Sequence, residues 1–191
     1  MRVIYPHVFE FPEALESIRG AAPELRDTSA DPEAYYRLLR DLWASGEDFV
    51  IVEQDMVVPD GGLAALEACP ELWCGYPYQL YGVYGVWHGV TRYRGALTRS
   101  LPRLPEEIQA RSWEQLDSAW INHLRAAGYE EAHWHWPAAR HLRETPDLSV
   151  GRFFNCVRCG AGMQALEVGV CPRCGWVFAP AMPRTPTAGV L

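Results

Sequence analysis

The chain contains no lysine: all 17 of its basic residues are arginine. Acids outnumber them at 24, and the net charge of −7 argues against indiscriminate binding to nucleic acid. No apolar run approaches the roughly 18 residues that crossing a bilayer takes. The opening Met1-Arg-Val-Ile-Tyr-Pro-His7 is too short and too interrupted by polar residues for a secretory signal. These absences set the expectation of a cytoplasmic protein. Cysteine is also scarce, six in 191 residues. In a reducing compartment, Cys69 and Cys74, which are near enough in sequence to pair, are expected as free buried thiols.

Apolar residues make up 49% of the chain, and its eight tryptophans and nine tyrosines give a domain of this length material for a core and for the lining of a site. The expected organisation is one α/β domain over 1–148, a small metal-held unit over 152–179 and a loose proline-rich tail over 180–191. Charge divides along the same line. Residues 1–150 carry 13 arginines against 23 acids, whereas 151–191 carry four arginines against Glu167 alone. The C-terminal part can therefore meet a polyanion, nucleic acid included, that the body repels.

Phe49-Val-Ile-Val52 is a short apolar run, three of its four residues β-branched, with Gly46 before it and Pro59-Asp-Gly-Gly62 after it. This pattern predicts a buried strand of a parallel or mixed sheet. Glu53 and Asp55 stand at its carboxyl end, where open α/β sheets bind their ligands. Residues two apart in extended chain face one side, so these carboxylates can converge on a hard divalent cation. An apolar strand running into acid-x-acid, then Val-Pro-Asp-Gly and a helix, resembles the metal-binding DxD segment of GT-A glycosyltransferases, with Glu53 in place of the first aspartate. The resemblance implies a compact Rossmann-like mixed sheet flanked by helices. It further implies Mn²⁺ or Mg²⁺ held by Glu53 and Asp55, and a nucleotide-sugar donor whose diphosphate the metal holds. The nucleotide would lie over the end of the first strand, at Tyr5 and Pro6. Only 52 residues precede the triplet, so the nucleotide-binding half is shortened.

Along the chain, Val3 to Tyr5 reads as a first strand and Phe11 to Arg19 as a short helix. Asp31 is placed to cap a helix with Tyr35, Leu38, Leu39, Leu42 and Trp43 on its apolar face, ended by Gly46. Asp60 is expected to cap a helix over 61–68. Trp73, Tyr76 and Tyr78 precede a glycine-punctuated aromatic segment, 81–90, that reads either as a strand pair or as a surface for stacking a sugar or base. Arg92 or Arg94 can neutralise a phosphate. Ser112-Trp-Glu-Gln115 is a capping box that opens a helix to about Ala127. Asp117 falls within that helix's apolar face, among Trp113, Trp120 and Ile121. A carboxylate there must be paired or must face a cleft. The resemblance assigns it the role of catalytic base that takes the proton from the acceptor hydroxyl. His133-Trp-His-Trp136 as a strand turns both imidazoles to one face. The resemblance gives one of His133 and His135 the place of a late histidine that completes the manganese shell.

The clearest spacing is Cys156-Val-Arg-Cys159-Gly and, eleven residues on, Cys171-Pro-Arg-Cys174-Gly. Two such knuckles resemble a zinc ribbon with a closed, structural Cys₄ site. The leading functional expectation is thus a metal-dependent glycosyltransferase with an unidentified acceptor, of which a nucleic-acid base is one candidate. Trp73, Tyr76, Tyr78 and Arg92 would line its substrate pocket. Two alternatives stand beside it: a zinc-ribbon binding module on a degenerate scaffold, and a metal-dependent hydrolase using the same acids and histidines.

Overall fold

The computed structural model describes residues 1–80, 83–86, 88–130, 132–142, 153–155 and 162–164. In chain order the elements are β1 (Arg2–His7), α1 (Pro12–Ile18), β2 (Glu24–Asp27), α2 (Ala34–Ser45), β3 (Phe49–Val52) and β4 (Met56–Val57). Then come α3 (Gly62–Ala68), β5 (Trp73–Gly75), β6 (Tyr78–Leu80), β7 (Val83–Gly85), β8 (Val90–Tyr93) and α4 (Gly95–Ser100). The remaining elements are α5 (Leu104–Glu107), α6 (Trp113–Ala126), β9 (His133–Trp134), β10 (Arg140–His141), β11 (Phe153–Asn155) and β12 (Gly162–Gln164).

Six strands form a mixed sheet in the order β2-β1-β3-β8-β5-β9. β1 runs parallel to both β2 and β3, β8 runs antiparallel to β3 and β5, and β9 runs parallel to β5. β3 lies inside the sheet, and all four of its residues are buried. The alternation of its side chains divides the core in two. Phe49 and Ile51 pack with Ile4 and Tyr93 against α2, α4, α5 and α6. Val50 and Val52 pack with Val3 and Tyr5 against α1 and α3. A mixed α/β sheet with helices on both faces is the fold class the strand pattern predicts.

Several elements differ from the sequence expectation for local reasons. Asp31 does not cap α2; its carboxylate accepts the Glu33 amide at 2.8 Å and pairs with Arg37, so the helix starts two residues later, after Glu33. Asp60 likewise leaves the cap of α3 to Gly61, whose φ of 71° is left-handed. β2 was not foreseen, because three of its four residues are exposed and no apolar alternation marks it. The aromatic stretch does fold as a strand pair, β6 against β7. The linker 145–149, the tail 180–191 and all four ribbon cysteines lie outside the described residues. β11 and β12 pair antiparallel and bracket in sequence the segment that carries Cys156 and Cys159.

Two features of this frame can be measured. Gly46 closes α2 with φ at 70°, and Gly95, which opens α4, lies so near it that an added Cβ would stand 2.0 Å from the Gly46 carbonyl oxygen. Backbone atoms cannot give way as side-chain ends do, so Gly95→Ala is expected to cost about 1–3 kcal/mol, read as a lower urea midpoint. Arg2 donates to Glu24 through Nε at 2.7 Å and Nη2 at 2.9 Å, fastening β1 to the edge strand. The hydrogen bond from Arg2 holds the Glu24 carboxyl at about 2, below its usual 4.5. A depressed carboxyl stabilises the fold above its unfolded value and loses that contribution as pH falls through the folded one. The pair is part-exposed, so its worth is under about 1 kcal/mol. Glu24→Gln should therefore lower the urea midpoint near neutral pH, and the gap to the parent protein should close as pH falls from 4.5 towards 2.

Candidate functional site

The centre of the site is the point where β3 stops. The Glu53 amide still donates to the Gly89 carbonyl at 2.8 Å, and the chain then turns, with the Met56 amide bonded back to the Glu53 carbonyl at 3.0 Å. Gln54, the middle residue of the triplet, is tied to the end of β1. The Tyr5 hydroxyl donates to the Gln54 carbonyl at 2.8 Å, and the Gln54 side-chain oxygen accepts the amides of Val8 and Phe9 at 2.7 and 3.2 Å. The turn thus sends Glu53 and Asp55 into two groups of partners.

Glu53 meets residues from the α2 and α6 side. Tyr35 of α2 donates its hydroxyl to Glu53 Oε1 at 2.9 Å. His88, fully buried, brings Nδ1 to 3.5 Å from that hydroxyl and to 3.1 Å from Asp117 Oδ1 on α6. The second of these is a close ion-pair contact out of line for a hydrogen bond. One ligand atom each from Glu53, His88 and Asp117 lies within 4.8 Å of the other two. The rings of Tyr35, Tyr93 and Trp120 stand nearly edge-on around the imidazole, at 6.1, 6.0 and 5.9 Å. The His88 Nε2 and the Tyr93 hydroxyl have no hydrogen-bond partner among the described residues. Asp117 retains 24% side-chain exposure, so the group opens to solvent at that carboxylate.

Asp55 meets a different histidine. The Leu142 amide donates to the Asp55 carbonyl at 2.8 Å, and β10 pairs with β4, which places His141 Nε2 3.5 Å from Asp55 Oδ2. Tyr78 stacks on the His141 ring, centroids 5.7 Å apart and planes 21° apart. Burial pushes the Tyr78 hydroxyl well above its ordinary value, and the charges of Glu53, Asp117 and Asp55 add to the shift. Tyr78 therefore lies within electrostatic reach of all three acids and stays a neutral phenol. The same causes, burial first and then the neighbouring Glu53 and Asp117, keep Tyr35 neutral.

The structure thus brings Glu53 together with Asp117, and Asp55 together with His141, so that the two acids expected to share one ion have separate partners, with Tyr78 within electrostatic reach of all three carboxylates. His133 and His135 do not join the acids. β9 is three strand positions from β3, about 14 Å at the usual interstrand spacing, too far for a shared ion. The two imidazoles stand instead with the Cys69 thiol. Trp73 is buried in the core beneath α2 and α6. Tyr76 is buried against α3, its hydroxyl 3.4 Å from the Gly62 carbonyl. Arg92 is fully buried beside Val50 and Cys74 and donates to the Glu71 carbonyl, so it is no surface phosphate clamp. Tyr5 and Pro6 are buried as well, and Tyr5 holds the triplet turn rather than offering a nucleotide its face.

His88, Tyr35 and His141 were missed as site residues. Tyr35 reads as one more apolar residue on the inner face of α2. His88 carried a signal, since an imidazole in an otherwise aromatic and aliphatic segment needs polar company once buried. His141 has no local mark; only the β4–β10 pairing brings it to Asp55. Tyr35→Phe removes a buried donor from Glu53 and keeps the ring. The expected loss is about 1–3 kcal/mol in urea unfolding with an unchanged m-value.

No protein-family model matches the chain, and no curated protein matches it. Among solved structures, the chain is similar to A197 from STIV at 10% identity and a TM-score of 0.46, over 87% of this chain and 95% of that one. It is also similar to a glycosyltransferase involved in the glycosylation of the major capsid of PBCV-1, at 11% identity and a TM-score of 0.42, over 72% of this chain and 81% of that one.

Proposed function

We propose that this protein is a metal-dependent glycosyltransferase that takes its sugar from a nucleotide-sugar donor. The observation that supports the reading is the convergence of groups distant in sequence, Glu53, Asp55, His88, Asp117 and His141, on the carboxyl end of a buried sheet strand. Ligands of open α/β sheets bind at that end.

The donor set fits a divalent first-row metal. Asp55 Oδ2 and His141 Nε2, 3.5 Å apart, are spaced as two ligands of one ion, and carboxylate with imidazole suits Mn²⁺ better than Mg²⁺. Asp55 and His141 would hold it, with Glu53 the nearest further carboxylate along the chain. When bound, the ion would supply positive charge to the leaving diphosphate. Asp117, the part-exposed acid, accepts the proton of the acceptor hydroxyl as that oxygen attacks the sugar carbon. His88, packed between Asp117 and Tyr35, orients the carboxylate. Tyr78 and Tyr35 remain neutral donors facing the acids. His7, Val8 and Phe9, beside the triplet turn and tied to it by Gln54, offer the donor's base an apolar surface; Val8 is 48% and Phe9 50% exposed.

The C-terminal cysteines Cys156, Cys159, Cys171 and Cys174 are proposed to bind a structural zinc in a ribbon. Its basic balance would favour an anionic acceptor such as nucleic acid. A donor kind, a metal and an acceptor class are thus each part of the proposal.

Calorimetry with the full chain tests the reading. A nucleoside diphosphate should bind when Mn²⁺ is present and not in its absence. Asp55→Ala and His141→Ala should each weaken Mn²⁺-dependent binding by tenfold or more, on the order of a lost metal ligand or its support. His133→Ala should leave that binding unchanged. Absence of any metal-dependent nucleotide binding, or equal binding by the Asp55→Ala protein, would overturn the assignment.

A further inference from the structure

The opposite edge of the sheet carries a second set of metal-ligating side chains. β9 pairs parallel with β5, and Cys74 is the register partner of His133. Register partners and residues two apart present their side chains on the same face, so Cys74, His133 and His135 share one side of the sheet. The two imidazole rings lie 4.9 Å apart and nearly perpendicular, at 80°. Cys69, the residue that ends α3, approaches from the layer above. Its sulfur and one nitrogen of each histidine all lie within 4.8 Å of one another. Cys69 and Cys74 are both buried and not joined in a disulfide.

Two further features of this corner are hard to explain by packing alone. His135 Nε2 is buried with no hydrogen-bond partner among the described residues. Arg92 is fully buried beside Cys74, and its Nε and Nη1 have no partner among the described residues. A buried guanidinium calls for an anion beside it. Cys74, its register partner across β5 and β8, is a thiol that can become one.

We propose that Cys69, Cys74, His133 and His135 bind a zinc ion in a closed, structural site distinct from the acid cluster and from the C-terminal cysteines. Two thiolates and two imidazoles are a common structural zinc set, and tetrahedral ligands at about 2.0–2.3 Å from the ion stand about 3.5 Å apart, so Cys69, His133 and His135 need only a small contraction; Cys74, the register partner of His133, is the fourth ligand, on that face. Binding is balanced without a redox step: two thiols lose two protons, and the ion takes two sulfur and two nitrogen lone pairs. Arg92 would then face a metal-bound thiolate and donate to its sulfur, which would satisfy the guanidinium. The ion would clamp the end of α3 to β5 and to the short edge strand β9. It would also anchor the chain that continues through Ala139, bonded to the Pro77 carbonyl at 2.9 Å, to His141.

The test measures zinc by elemental analysis in the full chain and in variants. Cys69→Ser and His133→Ala should each lose about one zinc per chain relative to the parent protein, whatever the C-terminal cysteines hold. Cys156→Ser should leave this site filled. His133 is exposed, so its replacement should keep the parent's circular dichroism and report on the metal alone. In protein reloaded with cobalt(II), the sulfur-to-metal charge-transfer band should lose intensity in Cys69→Ser, and the visible bands should shift in His133→Ala. Equal zinc content in parent and His133→Ala, or a Cys69–Cys74 disulfide in metal-free native protein, would overturn the proposal.

Discussion

Tyr5 donates its hydroxyl to the Gln54 carbonyl, and Gln54 in turn holds the amides of Val8 and Phe9. These bonds bolt the end of β3 to the end of β1, and the rest of the site depends on that joint. β3 is buried on both faces and hydrogen-bonded on both sides, so its register cannot slip without turning its apolar residues to the wrong layer. Where it stops, Glu53 is directed to the α2 and α6 layer and Asp55 to the β4–β10 ribbon. Two acids one residue apart thereby acquire separate partners, Tyr35 with His88 and Asp117 for one, His141 for the other.

Gathering three carboxylates near one another under aromatic cover is unfavourable by itself, because burial and like charge both oppose ionisation. The surroundings offset this with neutral donors and imidazoles. Tyr35, Tyr78 and Tyr93 are all held well above the ordinary phenol value, chiefly by burial and then by these acids, so they stay protonated across the working pH range. Such an arrangement suits a site that receives a cation or a developing positive charge, as the proposed reaction requires.

The middle of the sheet and its β9 edge thus carry different ligand chemistries. Oxygen and nitrogen donors meet around β3, and sulfur and nitrogen donors meet around β5 and β9. Hard and borderline metals are sorted by such sets. The separation follows from strand order: inserting β8 and β5 between β3 and β9 moves His133 and His135 out of reach of Glu53 and Asp55. Arg92 lies in that dividing strand β8, beside Cys74, which makes it part of the sulfur corner rather than of the acidic site.

Local pattern determined the central strand, the acidic pair at its end, the helical faces of α2 and α6, and the shared face of His133 and His135. Each depends on periodicity or on a turn former within a few residues, which a chain displays without its fold. Tertiary structure alone decided partners. Asp117 reached the site because α6 packs on the same layer as α2, whereas His141 reached it through a two-residue strand pair with β4. Trp73, Tyr76 and Arg92, polar-tipped or amphipathic and thus equally at home in a core or a cleft, were taken inside. The physical reason is that side-chain spacing along a strand is local, whereas the order of strands in a sheet is set by how distant apolar faces bury one another.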